Sequence, residues 1–376
     1  MTNPDVVVIG AGPVGLATAI ALRLRGIEVA VFERKPRGPI DKACGEGLMP
    51  DAVERLDSWG VELPRSMPFA GIRWIDGTTV ADGRFPSRAG RGVRRTVLGR
   101  ALEERAIALG AVIHRGHPVT ARPLPGGGWG LEVADRALTP RFVIAADGLR
   151  SPLRRAVGLT ARSTTRARRS GVRRFGVRRH YRITPWTDRV EVYWQGDCEA
   201  YVTPIAPDEV GVAVLWSGFK SDFPTLLARF PRLLERLGDA SATSRDRGSG
   251  PLLQRTRGVV SKNLALVGDA SGYVDAITGE GLAIGLHQAE AIAEAIGERD
   301  LRVYSHAHRV ISRRPNLLTH VLLQIERRPW LRRRLIAALA AEPWLFDHIL
   351  AVHVAERPVH SLVGTAPKLV GALWAA

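Results

Sequence analysis

An aspartate closes an apolar strand at Leu264-Ala-Leu-Val-Gly268-Asp269, and a glycine-punctuated loop then runs to a long helix opening at about Gly281-Leu282. An acid at a strand end can hold a sugar hydroxyl. A helix N-terminus turns aligned N–H groups and its dipole toward anything electron-rich. A second set stands at the other end of the chain. Gly10-Ala-Gly12-Pro13-Val14-Gly15 follows the strand Asp5-Val-Val-Val-Ile9 at once and leads into LATAIALRLRG, apolar at helical spacing. A second strand, Glu28-Val-Ala-Val-Phe32, ends at Glu33, with Arg34 next to it among the candidate cofactor-binding residues. In that context Gly10 permits a tight turn, Gly12 lets the backbone approach a pyrophosphate, and Gly15 lets helix and strand pack closely. Glu33 stands where an acid would accept a hydrogen bond from a ribose 2′-hydroxyl. It would repel a 2′-phosphate, so the expected resident ligand is FAD or NAD rather than NADP. A third acid, Asp147 with Gly148, ends Phe142-Val-Ile-Ala-Ala146, and Ser151 and Arg154 follow.

The elements that must position these groups are an α/β set interrupted by sheet material. Residues 1–64, 92–160 and 251–300 read as a Rossmann-like dinucleotide-binding domain. Residues 65–91 and 161–250 read as an antiparallel substrate domain, with alternating strands such as Arg189–Trp194, Ala200–Thr203 and Gly211–Trp216. Ile72–Ile75 with Asp76-Gly77 reads as a hairpin, and Gly126-Gly-Gly128 as a turn between strands rather than a phosphate loop. Residues 301–376 are helical, polar and basic, with breaks expected at Pro315, Pro329, Pro343 and Pro358. No internal repeat is present.

At 376 residues and 45% hydrophobic composition the chain can bury a sizeable core. The formal charge is +17, almost all of it arginine. A basic surface suits an anionic membrane, a phosphorylated cofactor or nucleic acid. No nucleic-acid motif accompanies it, so no nucleic-acid partner is expected. Two cysteines make no disulfide framework, the chain opens on a strand, and no apolar run approaches the roughly 20 residues of a membrane span. A cytoplasmic protein is expected. His306 and His308 have no third ligand nearby, so no metal is expected.

Three motifs stand in order: GAGPVG with Glu33, Ala146-Asp147-Gly148 with Ser151 and Arg154, and Val267-Gly268-Asp269-Ala270. Over roughly residues 1–300 this set resembles the single-component FAD oxidoreductases of the aromatic-hydroxylase fold, a superfamily that includes geranylgeranyl reductases. The resemblance implies FAD, its ADP half on Gly10–Gly15 and Glu33, with Arg95, rather than Arg94, on the pyrophosphate side. It implies Asp269 on the ribityl chain, backbone groups at Gly281 and Leu282 against the ring, and Val119 toward adenine. Asp147-Gly148 resembles a motif linked with both FAD and nicotinamide binding. With no second GxGxxG, NADH or NADPH is expected to bind transiently as reductant.

Two reactions are compatible with this resemblance. Glu199-Ala-Tyr201-Val-Thr-Pro204 and Gly211-Val-Ala-Val look like flavin hydroxylases acting on phenolic or polyketide-derived, lipophilic substrates with NAD(P)H and O2. Such an enzyme needs a dry pocket and a group that activates the phenol, for which His180, Tyr193 and Tyr201 are candidates. This is the leading expectation. Cys44-Gly-Glu-Gly-Leu48 and Thr278-Gly-Glu-Gly281 resemble geranylgeranyl reductases instead, although Glu46 and Ala276 depart from that pattern; Cys44 is then a candidate proton donor to a prenyl double bond, with a wall of the substrate pocket or a small apolar filler as the alternatives. Cys198 reads as packing. The arginines from Arg162 to Arg182 read as a solvated strand face, with attraction of nicotinamide phosphates as the functional alternative. In the tail, Arg327, Arg328, Arg332, Arg333 and Arg334 around Trp330 and Leu335–Leu339 suit a packed helix with a charged outer side, or peripheral contact with anionic lipid.

Overall fold

Val6–Ile9 and Phe142–Ala145 are apolar at every position because both faces of these strands are covered. In a computed structural model, which describes residues 4–134, 136–161, 173–218, 221–365 and 368, they lie side by side and parallel at the centre of a six-stranded sheet. Ala30–Glu33 and Val112–Arg115 extend it on one side, and Leu264–Leu266 on the other, all in parallel. Val260–Ser261 closes that second edge antiparallel. The described helices are α1 (Pro13–Leu24), α2 (Pro50–Ser58), α3 (Arg95–Ala108), α4 (Pro152–Ala156), α5 (Phe223–Leu227), α6 (Pro231–Leu237), α7 (Gly281–Gly297), α8 (Leu301–Glu326), α9 (Pro329–Ala341) and α10 (Pro343–His353).

Alternate residues of the central strands feed separate cores. Val6, Val8 and Val31 pack with Leu16 and Ile20 of α1, Leu102 of α3 and Leu286 and Ile292 of α7. Val7, Phe32, Val143 and Leu266 pack instead with Leu153 of α4 and Leu131 of a small antiparallel sheet, Val119–Pro123, Trp129–Val133 and Arg136–Leu138. Gly127 and Gly128, both at positive φ, turn the chain between its first two strands.

The second large sheet has seven strands in the order Arg247–Ser249, Arg174–Arg182, Glu209–Ser217, Cys198–Ala206, Val190–Gln195, Gly71–Asp76 and Thr79–Arg84. It departs from the antiparallel expectation at one seam: Val190–Gln195 runs parallel to Gly71–Asp76, because the hairpin arrives from a different part of the chain. One face, with Tyr193, Val202 and Val214, packs α5 and α6. The other, with Trp74, Val192, Trp194 and Tyr201, packs α8, α9 and α10.

The tail corrects one expectation. Pro329 and Pro343 open helices, where a missing N–H costs nothing, but Pro315 lies inside the continuous α8. It is buried there, so packing holds the helix through it. Among the described residues no single helix is long and apolar enough to cross a membrane; α9 and α10 would pass such a test only together and meet at 108°.

Candidate active site

The amino-terminal turn separates packing glycines from an open one. A Cβ on Gly15 would lie 1.9 Å from the Gly10 carbonyl oxygen, and one on Gly10 would lie 2.5 Å from that of Ala146. Nothing lies within 4 Å of the same position on Gly12. Gly12 thus leaves open space at the N-terminus of α1, where backbone N–H groups suit a phosphate. Glu33 is buried, and its carboxylate accepts hydrogen bonds from the backbone N–H groups of Ala11 and Lys35, each at 2.9 Å. That fixes the acid against the turn, with Arg34 exposed beside it. Gly12→Val should leave the melting temperature of the flavin-free protein unchanged and weaken FAD binding at least about tenfold, whereas Gly15→Ala should lower both. Parallel melts and FAD titrations of the two variants check this; a Gly12→Val protein that holds FAD normally would show that the phosphate is held elsewhere.

The carboxy-terminal half of the cleft is built on the same helix. Gly268 turns with φ 59°, and its N–H donates to Gln288 Oε1 of α7 at 2.7 Å. Val14 of α1 fills the space above Gly268 and Gly285, where added Cβ atoms would approach it to 3.1 and 2.4 Å. The Asp269 side chain accepts no hydrogen bond from the described residues. Burial pushes its carboxyl above the usual range, while the charges of Arg95, Lys42 and Arg154 hold it down. Arg95, at the first turn of α3, lines the same cleft, and its Nε is buried without a hydrogen-bond partner among the described residues. Arg94 turns away to Glu209, at 3.1 Å, and His180, at 2.9 Å. Gly281 and Leu282 line the cleft at the start of α7. An open turn, an unpartnered acid and a buried arginine nitrogen facing one cleft fit a dinucleotide extended from Gly12 to the N-terminus of α7.

Gly148, at φ 81°, also lines this cleft, but Asp147 does not. Its Oδ2 accepts from the Leu153 N–H at 3.1 Å, capping α4, while Oδ1 is buried without a hydrogen-bond partner among the described residues and burial raises its carboxyl. Val119 begins an outer strand and packs on the core away from the cleft.

Arg154 has a larger part than its place in the motif suggested. Almost fully buried, it donates to the carbonyl oxygens of Leu149 (2.9 Å), Asp269 (3.3 Å) and Ala270 (3.0 Å) and to Gln254 Oε1 (3.0 Å). One guanidinium therefore ties the Asp147–Leu149 turn to the Gly268–Ser271 turn. Gln288 and Glu46 were likewise not singled out as cofactor-site residues. Glu46 is buried at φ 60°, in the left-handed region that favours glycine. Its Oε1 accepts the Arg95 N–H at 2.8 Å and its Oε2 lies 2.5 Å from His180 Nε2, contacts that hold it there.

That arrangement removes His180 from the role of a substrate-facing base. The ring is buried, with Nε2 on Glu46 and Nδ1 2.8 Å from Ser244 Oγ. Tyr193 faces the opposite side of the sheet and donates to Glu191 at 2.7 Å. Tyr201 does face the cleft side, but its hydroxyl donates to the Ile277 carbonyl at 3.0 Å, and burial beside Glu199 holds the phenol well above its usual range. It stays protonated, so it can donate but not take a proton. Cys44 is half-buried and free, and it lines the cleft beside Tyr273, with the Glu46 N–H directed to its sulfur at 3.4 Å. Cys198 is fully buried and its thiol is pushed up to about 12, consistent with packing. Of the arginines from Arg162 to Arg182, Arg162, Arg166, Arg168 and Arg169 lie outside the described residues. Arg174 and Arg178 are buried ion-pair partners rather than a solvated face. His308 bonds Ser271 Oγ at 2.9 Å, and among the described residues no cluster could hold a metal ion.

Beyond Cys44 the cleft continues between the seven-stranded sheet and the tail helices, and the cofactor cleft and this continuation together enclose about 530 Å³. Ile72, Trp74, Val192 and Trp194 line it from the sheet, and Leu322 and Phe346 from α8 and α10.

Residues 3–207 match the family described as FAD binding domain. The chain is 30% identical over 329 residues to a menaquinone reductase of Mycobacterium tuberculosis, a match covering 80% of this chain and 78% of that one. It is 26% identical over 329 residues to digeranylgeranylglycerophospholipid reductase 2 of Methanosphaera stadtmanae, covering 80% of each. Against a rifampicin monooxygenase of Streptomyces venezuelae it is 32% identical over 170 residues, 41% of this chain and 34% of that one. The fold is that of a flavoprotein/dehydrogenase from Cytophaga hutchinsonii, with TM-score 0.76 at 18% identity over 93% of this chain and 92% of that one. With a cleft shaped for a dinucleotide and a match through more than half its length, the chain belongs to the FAD binding domain family and is an FAD-dependent oxidoreductase.

Proposed function

We propose that this oxidoreductase reduces a carbon–carbon double bond in a long, apolar, prenyl-type substrate, with NADH or NADPH as transient electron source. The observation that carries this is the cavity itself: it runs from the cofactor cleft past a free cysteine into a channel of aromatic and aliphatic side chains. The relatives whose similarity extends through both the cofactor elements and this sheet are named as reductases, one of a geranylgeranyl lipid, while the monooxygenase match covers less than half the chain. FAD would be held by the Gly10–Gly15 turn, Glu33, Arg95, Asp269 and the start of α7, and when reduced it supplies hydride chemistry. The residues of the chain do the rest. Trp74, Trp194 and Phe346 orient the chain of the substrate and exclude water, and Cys44 Sγ holds the proton that the second alkene carbon requires.

The expected hydroxylation of a phenolic lipid remains the second reading, supported by the dry cavity that such chemistry also needs. Its weakness is the base: His180 is engaged by Glu46, and Tyr201 is held protonated. Oxygen separates the two. Under anaerobic conditions the reduced enzyme should be reoxidised by a geranylgeranyl lipid, and Cys44→Ala should slow this step about a hundredfold or more. Reoxidation that requires O2 and yields a hydroxylated phenolic product would replace this reading with the hydroxylase.

A further inference from the structure

Of the two readings of the tail, a packed helix with a charged outer side and lipid contact through Leu335–Leu339, the burial of that run in α9 fits the first. Leu335, Ile336, Ala338 and Leu339 pack into the sheet, and Arg332 is buried on Asp76 at 2.9 Å. The unpartnered surface lies on α8 instead. Its inner side gives Leu318, Leu322 and Ile325 to the cavity, and its outer side exposes Leu317. Val321 belongs to both: it lines the cavity and is 47% exposed, so the cavity reaches the surface there. Leu362 and Thr365 line the cavity from the tail, and the neighbouring Val363 is 73% exposed.

The exposed charges of α8 have one sign. Along α8 the exposed positions include Arg309 and Arg313, interleaved with Val310, Leu317 and Val321, and Arg327 and Arg328 are exposed just past its end. The only acid of the helix, Glu326, is buried against Arg174. Immediately past its end Trp330 is 63% exposed. A solvated helix face has no need of three large aliphatics and a tryptophan. A helix lying in the headgroup layer of an anionic bilayer does, with arginines on phosphates and apolar side chains below them.

We propose that the outer face of α8 docks on a bilayer containing anionic lipid, and that the mouth at Val321 takes the substrate laterally from that bilayer. The purpose of such a mouth rests on the lipophilic-substrate reading above; the docking is measured without substrate or nicotinamide, so either can fail alone. The full-length, FAD-loaded protein would be floated with vesicles of phosphatidylcholine alone and of phosphatidylcholine mixed with phosphatidylglycerol. The mixed vesicles should carry it at least about tenfold more effectively, and added salt should release it. Arg309→Glu/Arg313→Glu should weaken flotation about tenfold or more, and Leu317→Asp/Val321→Asp should abolish it. Retained flavin absorbance verifies that each variant is folded. Equal flotation on both vesicle types, or flotation unchanged in both variants, would overturn the proposal. So would a dimer in light scattering that Leu317→Asp/Val321→Asp dissociates, because the face would then belong to a second copy.

Discussion

Arg154→Leu should give a protein purified largely without flavin and melting roughly 5 °C below the parent. The leucine fills much of the space but leaves the carbonyls of Leu149, Asp269 and Ala270 and the Gln254 amide oxygen without their donor. Buried acceptors without partners cost about 1–3 kcal/mol each, and with partial relaxation the sum is on the order of 4 kcal/mol. The loss falls on the two turns that approach the cofactor, so retention should suffer more than overall stability. Arg154→Lys, able to reach fewer of the acceptors, should lie between. Differential scanning calorimetry and the absorbance of dialysed protein test both parts. Full flavin occupancy in Arg154→Leu would show that the turns hold their positions without the staple.

The second large effect is a dependence of stability on pH. Arg174 is surrounded by Glu199, by Asp275 at 2.9 Å and by Glu326 at 3.2 Å, all buried. These groups come from the seven-stranded sheet, the loop before α7 and the end of α8, with Arg327 and Arg332 approaching Glu326 from the chain beyond α8. Three carboxylates share one full counter-charge, and burial pushes Glu199 up to about 8. The unfolded chain releases that proton near the ordinary carboxylate value, whereas the folded chain keeps it. Stability from this group is therefore complete at acid pH, declines as pH climbs toward 8, and is lost above. The span corresponds to on the order of 4 kcal/mol. Between pH 5.5 and 8.5 the parent should lose about 5 °C in melting temperature, and Glu199→Gln, permanently neutral, should lose much less. Parallel slopes in the two proteins would mean that the proton resides on another group.

The parts of this architecture with local causes were legible before any coordinates. Apolar runs of four or five residues make buried parallel strands, and glycine spacing makes the first turn, because each is decided within a dozen residues. Pro315 misled because tertiary packing outweighs one lost hydrogen bond in a long helix. The apolar run in α9 left packing and lipid contact both open, because periodicity shows that a face is apolar but not what covers it. The site divides in the same way. The cleft is lined by the expected Arg95, Asp269 and Gly281, yet Arg154 acts on backbone carbonyls, which carry no sequence signature. His180 read as a strand residue able to act as a base. Its true partner, Glu46, lies 134 positions away and occupies a left-handed conformation in which a glutamate is unexpected.

The place of Leu264–Leu266 and α7 has a consequence for how the chain is made. The strand pairs with Phe142–Ala145, and α7 covers α1 through Val14, Gly268 and Gly285, so residues near 270–297 complete what residues 6–24 begin. During synthesis the first turn emerges early, but its outer wall reaches it only after more than half of the chain has followed. For that interval α1 and its neighbouring strand have an uncovered apolar side and only half a cleft. Cofactor capture is thus a late event of biogenesis, and truncated products from a stalled ribosome would be flavin-free and prone to aggregate.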